Sequence, residues 1–202
     1  MDRKNCSKGV CFLFGGLVLA TAYLNVSGCN ERRLVEKSNA VENNKIAAPY
    51  FSAQTATGKT YNFMQLVEKR PLFLYMIQAS CGMNAQAVKY YERIFKAYNG
   101  KPNFIGIFDG NAKTYQAWQK IYKVSFPVLL DPDMKIIDAY HAERSPWLFM
   151  IGTDGNILEE WKGYSKSYLE QLNKLMAENS QLKLKKVDFE GAPSEPRHGC
   201  PF

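Results

Sequence analysis

Leu72-Phe73-Leu74-Tyr75-Met76-Ile77-Gln78-Ala79-Ser80-Cys81-Gly82-Met83-Asn84 decides how this chain is read. Leu72 to Ile77 is an unbroken apolar run of strand length, the pattern of a strand buried on both faces. The run empties into a polar turn, and the turn holds Cys81. From Asn84 to Tyr98 the apolar residues Val88, Tyr91, Phe95 and Tyr98 recur at helical spacing, until Asn99-Gly100 closes the segment. A cysteine at such a strand-to-helix turn lies where free N–H groups and the positive dipole end of a helix lower a thiol's pKa. Position 84 is Asn, so no second cysteine follows at the helix start.

Outward from this run the pattern alternates. Upstream, Phe51 to Gln54 and Thr60 to Phe63 flank Thr57-Gly58-Lys59, which predicts a hairpin with glycine in its turn, and Met64 to Lys69 a short helical turn stopped by Pro71. Downstream, Phe104 to Phe108 predicts a second buried strand, Ala112 to Val124 an amphipathic helix, Pro127 to Asp131 a short strand and Met134 to Tyr140 a brief helix or turn. Trp147 to Ile151 and Ile157 to Trp161 are strands joined through Thr153-Asp154-Gly155-Asn156, a hairpin signal, and Ser165 to Asn179 is a last helix capped by Ser165 or Ser167. Strand and helix alternate with parallel crossovers, and the final hairpin adds antiparallel strands to the same sheet. Neither an internal repeat nor a low-complexity block appears.

The ends read differently. Arg3, Lys4 and Lys8 form a basic start, and Val10 to Ala22 is an apolar stretch too short for a comfortable bilayer span. Val26-Ser27-Gly28-Cys29 then resembles a bacterial lipobox, in which a cysteine after small residues is lipidated and becomes the mature N-terminus. Residues 1–29 are thus expected to be a lipoprotein signal with Cys29 as the lipidation site. An ordinary signal peptide, or an uncleaved anchor with a chance cysteine, is the plainer reading. Lipid at Cys29 would hold the protein on a membrane surface without a spanning helix. Residues 30–46 are polar and aperiodic, a flexible tether. Residues 180–202 contain Leu182-Lys183-Leu184-Lys185-Lys186 and a Pro/Gly-containing end, and are expected to be a weakly ordered tail.

The five cysteines divide by these roles. Cys6 and Cys11 belong to the signal, and only Cys81 and Cys200 remain as thiols of the domain. That is too few for a disulfide-stapled exported fold, so the domain stands on its core. The net charge of +7 includes +2 from the signal, where Arg3, Lys4 and Lys8 face Asp2. No basic stripe with interleaved aromatics appears, which excludes nucleic acid as a partner. His141 and His198 are far apart in sequence, so no metal site and no cofactor is expected. Trp147 and Trp161, each at a strand position, read as core or sheet-face residues.

Four places carry a resemblance to the thioredoxin-fold redoxins, the group of the alkyl hydroperoxide reductase and thiol-specific antioxidant proteins and the membrane-tethered thiol-disulfide oxidoreductases. They are Ala48-Pro49-Tyr50-Phe51 with Gly58-Lys59, Cys81 at its turn, Phe126 to Asp133 with Ala139-Tyr140, and Ser145-Pro146-Trp147-Leu148-Phe149-Met150-Ile151 with Asp154-Gly155. The resemblance covers roughly Ala48 to Glu178. It implies an α/β, thioredoxin-like fold over residues 47–179: a central mixed β-sheet flanked by helices, with an N-terminal β-hairpin. It also implies that Pro146 is a cis-proline beside Cys81, with the carbonyl and N–H before it facing an incoming peptide.

The chain departs from the group's patterns in two ways. Leu74 and Gln78 stand where a peroxidase carries Pro and Thr or Ser, and Asn84 stands where a disulfide reductase carries its second cysteine. A lone thiolate can attack a disulfide but cannot free itself from the mixed disulfide. The candidate catalytic residues are Cys81, Asn84 as an amide donor to the thiolate, Pro146 and Cys200. The candidate substrate-binding residues are Ser80, Gly82, Met83 and Ser145. Cys200 is either a resolving thiol or a chance cysteine in a loose end, and Asn84 is equally a plain helix-start residue. The leading expectation is a membrane-anchored redoxin of the bacterial cell envelope, facing the periplasm or exterior. It would act on exported protein or small-molecule thiols and disulfides, with release by an external thiol or by Cys200. The alternatives are a redox-inactive binding module on the same fold, and a monothiol peroxidase.

Overall fold

The computed structural model describes residues 46–202. The expected signal, Cys29 and all of the tether except Ile46 lie outside the described residues. Ile46 belongs to a short strand, β1 (Ile46–Ala47), which pairs with Ile157 and Asn156. The sheet thus takes in Ile46, a residue expected in the tether. Ile46 points outward, so only main-chain pairing marks it, and hydrophobic pattern cannot show that.

β2 (Ser52–Gln54) and β3 (Thr60–Asn62) form the predicted hairpin, with Gly58 at φ +82° in the turn, a conformation that favours glycine. α1 (Phe63–Val67) follows, capped by Asn62, whose Oδ1 accepts the Met64 N–H at 3.0 Å. β4 is Leu72–Ile77, as the apolar run predicts. α2 (Gly82–Ala97) starts two residues before the expected Asn84, because Gly82 and Met83 add no apolar period but are already helical. Then come β5 (Phe104–Phe108), α3 (Ala112–Tyr122), β6 (Val128–Leu130), α4 (Lys135–Ala139), β7 (Trp147–Ile151), β8 (Asn156–Lys162) and α5 (Lys166–Asn179). Asn111 caps α3 and Ser165 caps α5, each accepting a first-turn N–H on its side chain.

The main sheet has the order β1-β8-β7-β4-β5-β6. β4, β5 and β6 run parallel; β7 pairs antiparallel with both β4 and β8. β4 is therefore central, and its alternate side chains fill two cores. Phe73, Tyr75 and Ile77 face the layer of α2, α3 and α5; Leu72, Leu74 and Met76 face Phe63, Val67, Ile137 and Phe149. Trp161 packs in the first core and Trp147 in the second, as their strand positions predict.

The tail does not match its expectation. Residues 180–202 contain no helix or strand, yet they pack along the domain rather than hanging loose. Phe189 is buried against the Tyr90 ring, Tyr90 donates to Glu190 O at 3.1 Å, and the Lys185 N–H donates to the Tyr98 hydroxyl at 3.2 Å. Farther on, Lys166 N–H donates to Pro193 O at 2.8 Å, and isolated bridges tie Tyr164 to Arg197 and Arg144 to Pro201. These ties are mostly main-chain bonds around few apolar anchors, so no periodic signal announced them. Phe189→Ala should lower the unfolding free energy by about 3 kcal/mol in urea titration, as for a buried aromatic. A change near zero would restore the loose tail.

Candidate thiol site

The site forms where β4 ends. The parallel register Ile77↔Phe108 carries β5 past β4 and sets Asp109 beside the turn, where its Oδ1 accepts the Ala79 N–H at 2.8 Å. The Cys81 N–H closes the turn onto Gln78 O at 3.2 Å, and Cys81 becomes the N-cap residue of α2. Its carbonyl accepts the Ala85 N–H at 3.1 Å, while its side chain makes no capping bond and is left for other contacts. Asp109 was missed in the sequence reading. The available signal was its place directly after a strand parallel to β4.

On the other side of β4, the antiparallel pair Met76↔Trp147 brings in the Ser145-Pro146 peptide, which is cis. Ser145 is fully buried. Its hydroxyl donates to Met76 O at 3.2 Å and accepts the Gln78 N–H at 3.2 Å, tying this loop to the end of β4. The Cys81 thiol reaches Ser145 O at 3.5 Å. The Ser145 side chain is thus committed to holding the loop, and only its main chain faces the thiol.

Asn84 departs from the role assigned to it. It is buried beneath the turn; its amide donates to Gln78 O at 3.0 Å, and its Oδ1 accepts a short hydrogen bond from the Tyr75 hydroxyl. Both amide ends are used in bracing the turn, so the proposed bond to the thiolate gives way to a structural one. Burial, then neighbouring Tyr91 and Cys81, push the Tyr75 phenol well above its ordinary pKa, which keeps it a donor. Ser80 is exposed on the turn, Gly82 is exposed at the start of α2, and Met83 is half-buried against the tail.

Cys200 lies against Cys81. The Cys200 N–H donates to Cys81 Sγ at 3.3 Å. The neighbouring Cys81 sulfur holds the Cys200 thiol above its ordinary pKa, against backbone hydrogen bonds from Gly82 and Cys200 that lower it. The Ser145 N–H donates to Cys200 O at 3.1 Å, Phe202 N–H to Glu143 O at 3.2 Å, and Arg144 Nη1 to Gly199 O at 3.3 Å. Gln78 Nε2 donates to Pro201 O, while Gln78 Oε1 is buried without a partner among the described residues. Gly199 sits so close that a Cβ there would overlap Ser145 O and Cys81 Sγ. Cys81, Gly82, Met83, Ser145, Pro146 and Cys200 thus converge, and Gly199, Arg144 and Asp109 join them unannounced. Among the described residues, no group of three or more His, Cys, Asp or Glu is arranged to hold a metal ion. Nor, among them, is any helix long and apolar enough to cross a membrane.

The AhpC/TSA family model matches residues 45–160. The thiol-disulfide oxidoreductase ResA of Bacillus subtilis (strain 168) is 26% identical over 114 residues, 55% of this chain and 63% of that protein. The chain thus aligns with less than two thirds of that relative's length. An uncharacterized conserved protein of Geobacillus kaustophilus superposes with a TM-score of 0.60 at 15% identity, covering 78% of this chain and 89% of the other. A putative thiol:disulfide interchange protein DsbE from Chlorobium tepidum gives 0.59 at 19%, covering 67% and 96%. The pneumococcal exposed lipoprotein thioredoxin Etrx1 of Streptococcus pneumoniae gives 0.55 at 18%, covering 64% and 99%. At these identities the superpositions establish the thioredoxin-like fold. The family match stops at residue 160, well before Cys200.

Two measurements follow from the brace. Asn84→Ala strips partners from the buried Tyr75 hydroxyl and from Gln78 O, and should cost about 2 kcal/mol of stability by urea titration. A neutral result would remove Asn84 from the brace. Burial raises the Asp109 pKa although the Ala79 N–H bond opposes it. Its folded pKa then exceeds its unfolded one, so its contribution is fully present below the unfolded value and is lost as pH rises through the folded value. The stability of wild type relative to Asp109→Asn should therefore fall with rising pH over the window that opens at the unfolded Asp value of about 3.9. A rise over that window would reverse the assignment.

Proposed function

The chain belongs to the AhpC/TSA family of thioredoxin-fold redoxins, and within it we propose a thiol-disulfide oxidoreductase whose working pair is Cys81 and Cys200. The observation that carries this reading is the Cys200 N–H on Cys81 Sγ at 3.3 Å, which sets the second cysteine directly beside the first. The second cysteine that position 84 lacks is supplied from the end of the chain.

The steps balance as ordinary exchange. The Cys81 thiolate attacks one sulfur of a partner's disulfide; a Cys81–partner bond forms, the partner's S–S bond breaks, and the departing thiolate takes up a proton. Cys200, deprotonated, then attacks the Cys81 sulfur; a Cys81–Cys200 bond forms and the second partner thiolate leaves and is protonated. The partner is reduced to a dithiol and the protein is oxidised to a disulfide, which an external dithiol reduces in turn. Ser145 holds the loop against β4, Asn84 and Asp109 brace the turn, and Pro146 shapes the face beside the sulfur.

Address and anchoring belong to the same proposal. Val26-Ser27-Gly28-Cys29 supports lipid attachment at Cys29, which would place the domain on a bacterial envelope membrane, facing the periplasm or exterior. Its partners there would be exported proteins or small thiols and disulfides. Peroxidase activity is disfavoured by Leu74, which is wholly buried, and by Gln78, whose amide is engaged with Pro201. The redox-inactive binding module has one observation in its favour, the burial of Cys81.

A disulfide-bonded peptide offered to wild type, Cys81→Ser and Cys200→Ser separates these readings. Wild type should release reduced peptide and end with a Cys81–Cys200 bond, seen by mass spectrometry. Cys200→Ser should stop at a mixed disulfide on Cys81, and Cys81→Ser should show neither bond. Equal, persistent mixed disulfides in wild type and Cys200→Ser would remove Cys200 from the mechanism.

A further inference from the structure

Cys81 is only 3% exposed, so a partner's disulfide cannot reach its sulfur while residues 197–202 lie over it. The cover has the form of a paired strand. It runs antiparallel to residues 143–145, with Phe202 N–H on Glu143 O, Ser145 N–H on Cys200 O, and an isolated bridge between Arg144 and Pro201. At its upstream end Arg197 and Tyr164 exchange both main-chain bonds, at 2.9 and 3.1 Å.

These bonds are made by backbone groups and ask nothing of the occupant except an extended chain. Sequence enters at two positions. A cysteine must follow the covering residue, because residue 200 is the one whose N–H meets the Cys81 sulfur. The covering residue must be glycine, because any Cβ at 199 would overlap Ser145 O and Cys81 Sγ and lie 2.9 Å from Met83 Cβ.

The resemblance already sets an incoming peptide against the main chain before Pro146; we propose that residues 197–202 are the resident occupant and gate of that edge, which continues to Tyr164, and that the external partner it fits is an extended segment with glycine directly before its disulfide-bonded cysteine. This rests on the exchange reading above and adds to it a gate and a sequence preference. The resident segment must lift for the partner to enter. Its return then carries Cys200 onto the Cys81 sulfur and displaces the partner from the edge, so that resolving the mixed disulfide and releasing the product are one movement. Being part of the chain, the resident competes at an effective concentration of order mM, so a partner that docks without covalent capture is at a disadvantage.

The test uses the full chain in a Cys200→Ser background, with the alkylation rate of Cys81 followed by mass spectrometry. Cys200→Ser alone should react slowly. Adding Gly199→Val, which forces the segment off, should speed alkylation by roughly ten-fold or more, as expected for opening of a buried site. Gln78→Ala with Arg144→Ala, which removes only side-chain holds on Pro201 O and Gly199 O, should also speed it, and serves if the valine variant does not fold. A peptide of residues 195–202 with serine in place of Cys200 should slow the opened variants again, and the same peptide with valine in place of Gly199 should not. Equal rates in every variant would overturn the gate, and equal protection by both peptides would overturn the glycine requirement. A Cys81–Cys200 bond still formed in wild type would then leave the exchange reading standing and sink only this one.

Discussion

The site depends on how the end of β4 is held. Ser145 is fully buried, and its one hydroxyl bonds the last-but-one carbonyl of the strand, Met76 O, and the first N–H beyond it, at Gln78. Through that pair the cis-proline loop of β7 is fixed against the turn that carries Cys81. Everything near the sulfur takes its position from there: the Ser145 carbonyl on one side, the Ser145 N–H that receives the tail, and the Gln78 side chain that holds Pro201. A buried hydroxyl is suited to this role, because it can bond a backbone carbonyl and a backbone N–H at once where water does not reach.

The second constraint acts from below. Asn84 occupies the position where a Cys-x-x-Cys site would carry its other thiol, and it has been turned into a brace between Tyr75 and Gln78. Its burial makes the substitution structural rather than vacant, and the other thiol comes to Cys81 from outside the domain's regular elements. A thiol brought by a tail can leave, as one fixed in the first turn of a helix cannot. Access to the sulfur and the pairing of the two cysteines are therefore coupled by geometry.

Legibility followed the physical nature of each signal. β4, β5 and β7 were readable because each buries a continuous apolar run between two cores, and α5 was readable because Ser165 caps an amphipathic period. β1 was not, since its outward Ile46 carries no pattern and only main-chain pairing defines it. Cys81 was marked by its place after an apolar run and before a helical period, and Pro146 by a resemblance alone. Asn84 was named for the wrong bond, as its rotation into the core depends on Tyr75 across the turn. Asp109 was passed over because its place at the turn follows from the parallel pairing of β5 with β4 and not from its immediate neighbours in sequence. The tail was misread for a related reason: Phe189 is one aromatic in a polar stretch, and Arg197 to Phe202 attach through backbone bonds that composition cannot reveal.

The amino-acid order alone determined the sheet's core strands, the helices between them and a cysteine at a strand-to-helix turn, because periodic burial and capping are local properties of the chain. Tertiary structure decided that Cys81 is covered rather than open, that Asn84 serves the fold, and that Cys200 is its neighbour. Those outcomes depend on backbone groups distant in sequence meeting at one place. Main-chain donors and acceptors are the same at every position but proline, so nothing in their sequence says which of them will meet.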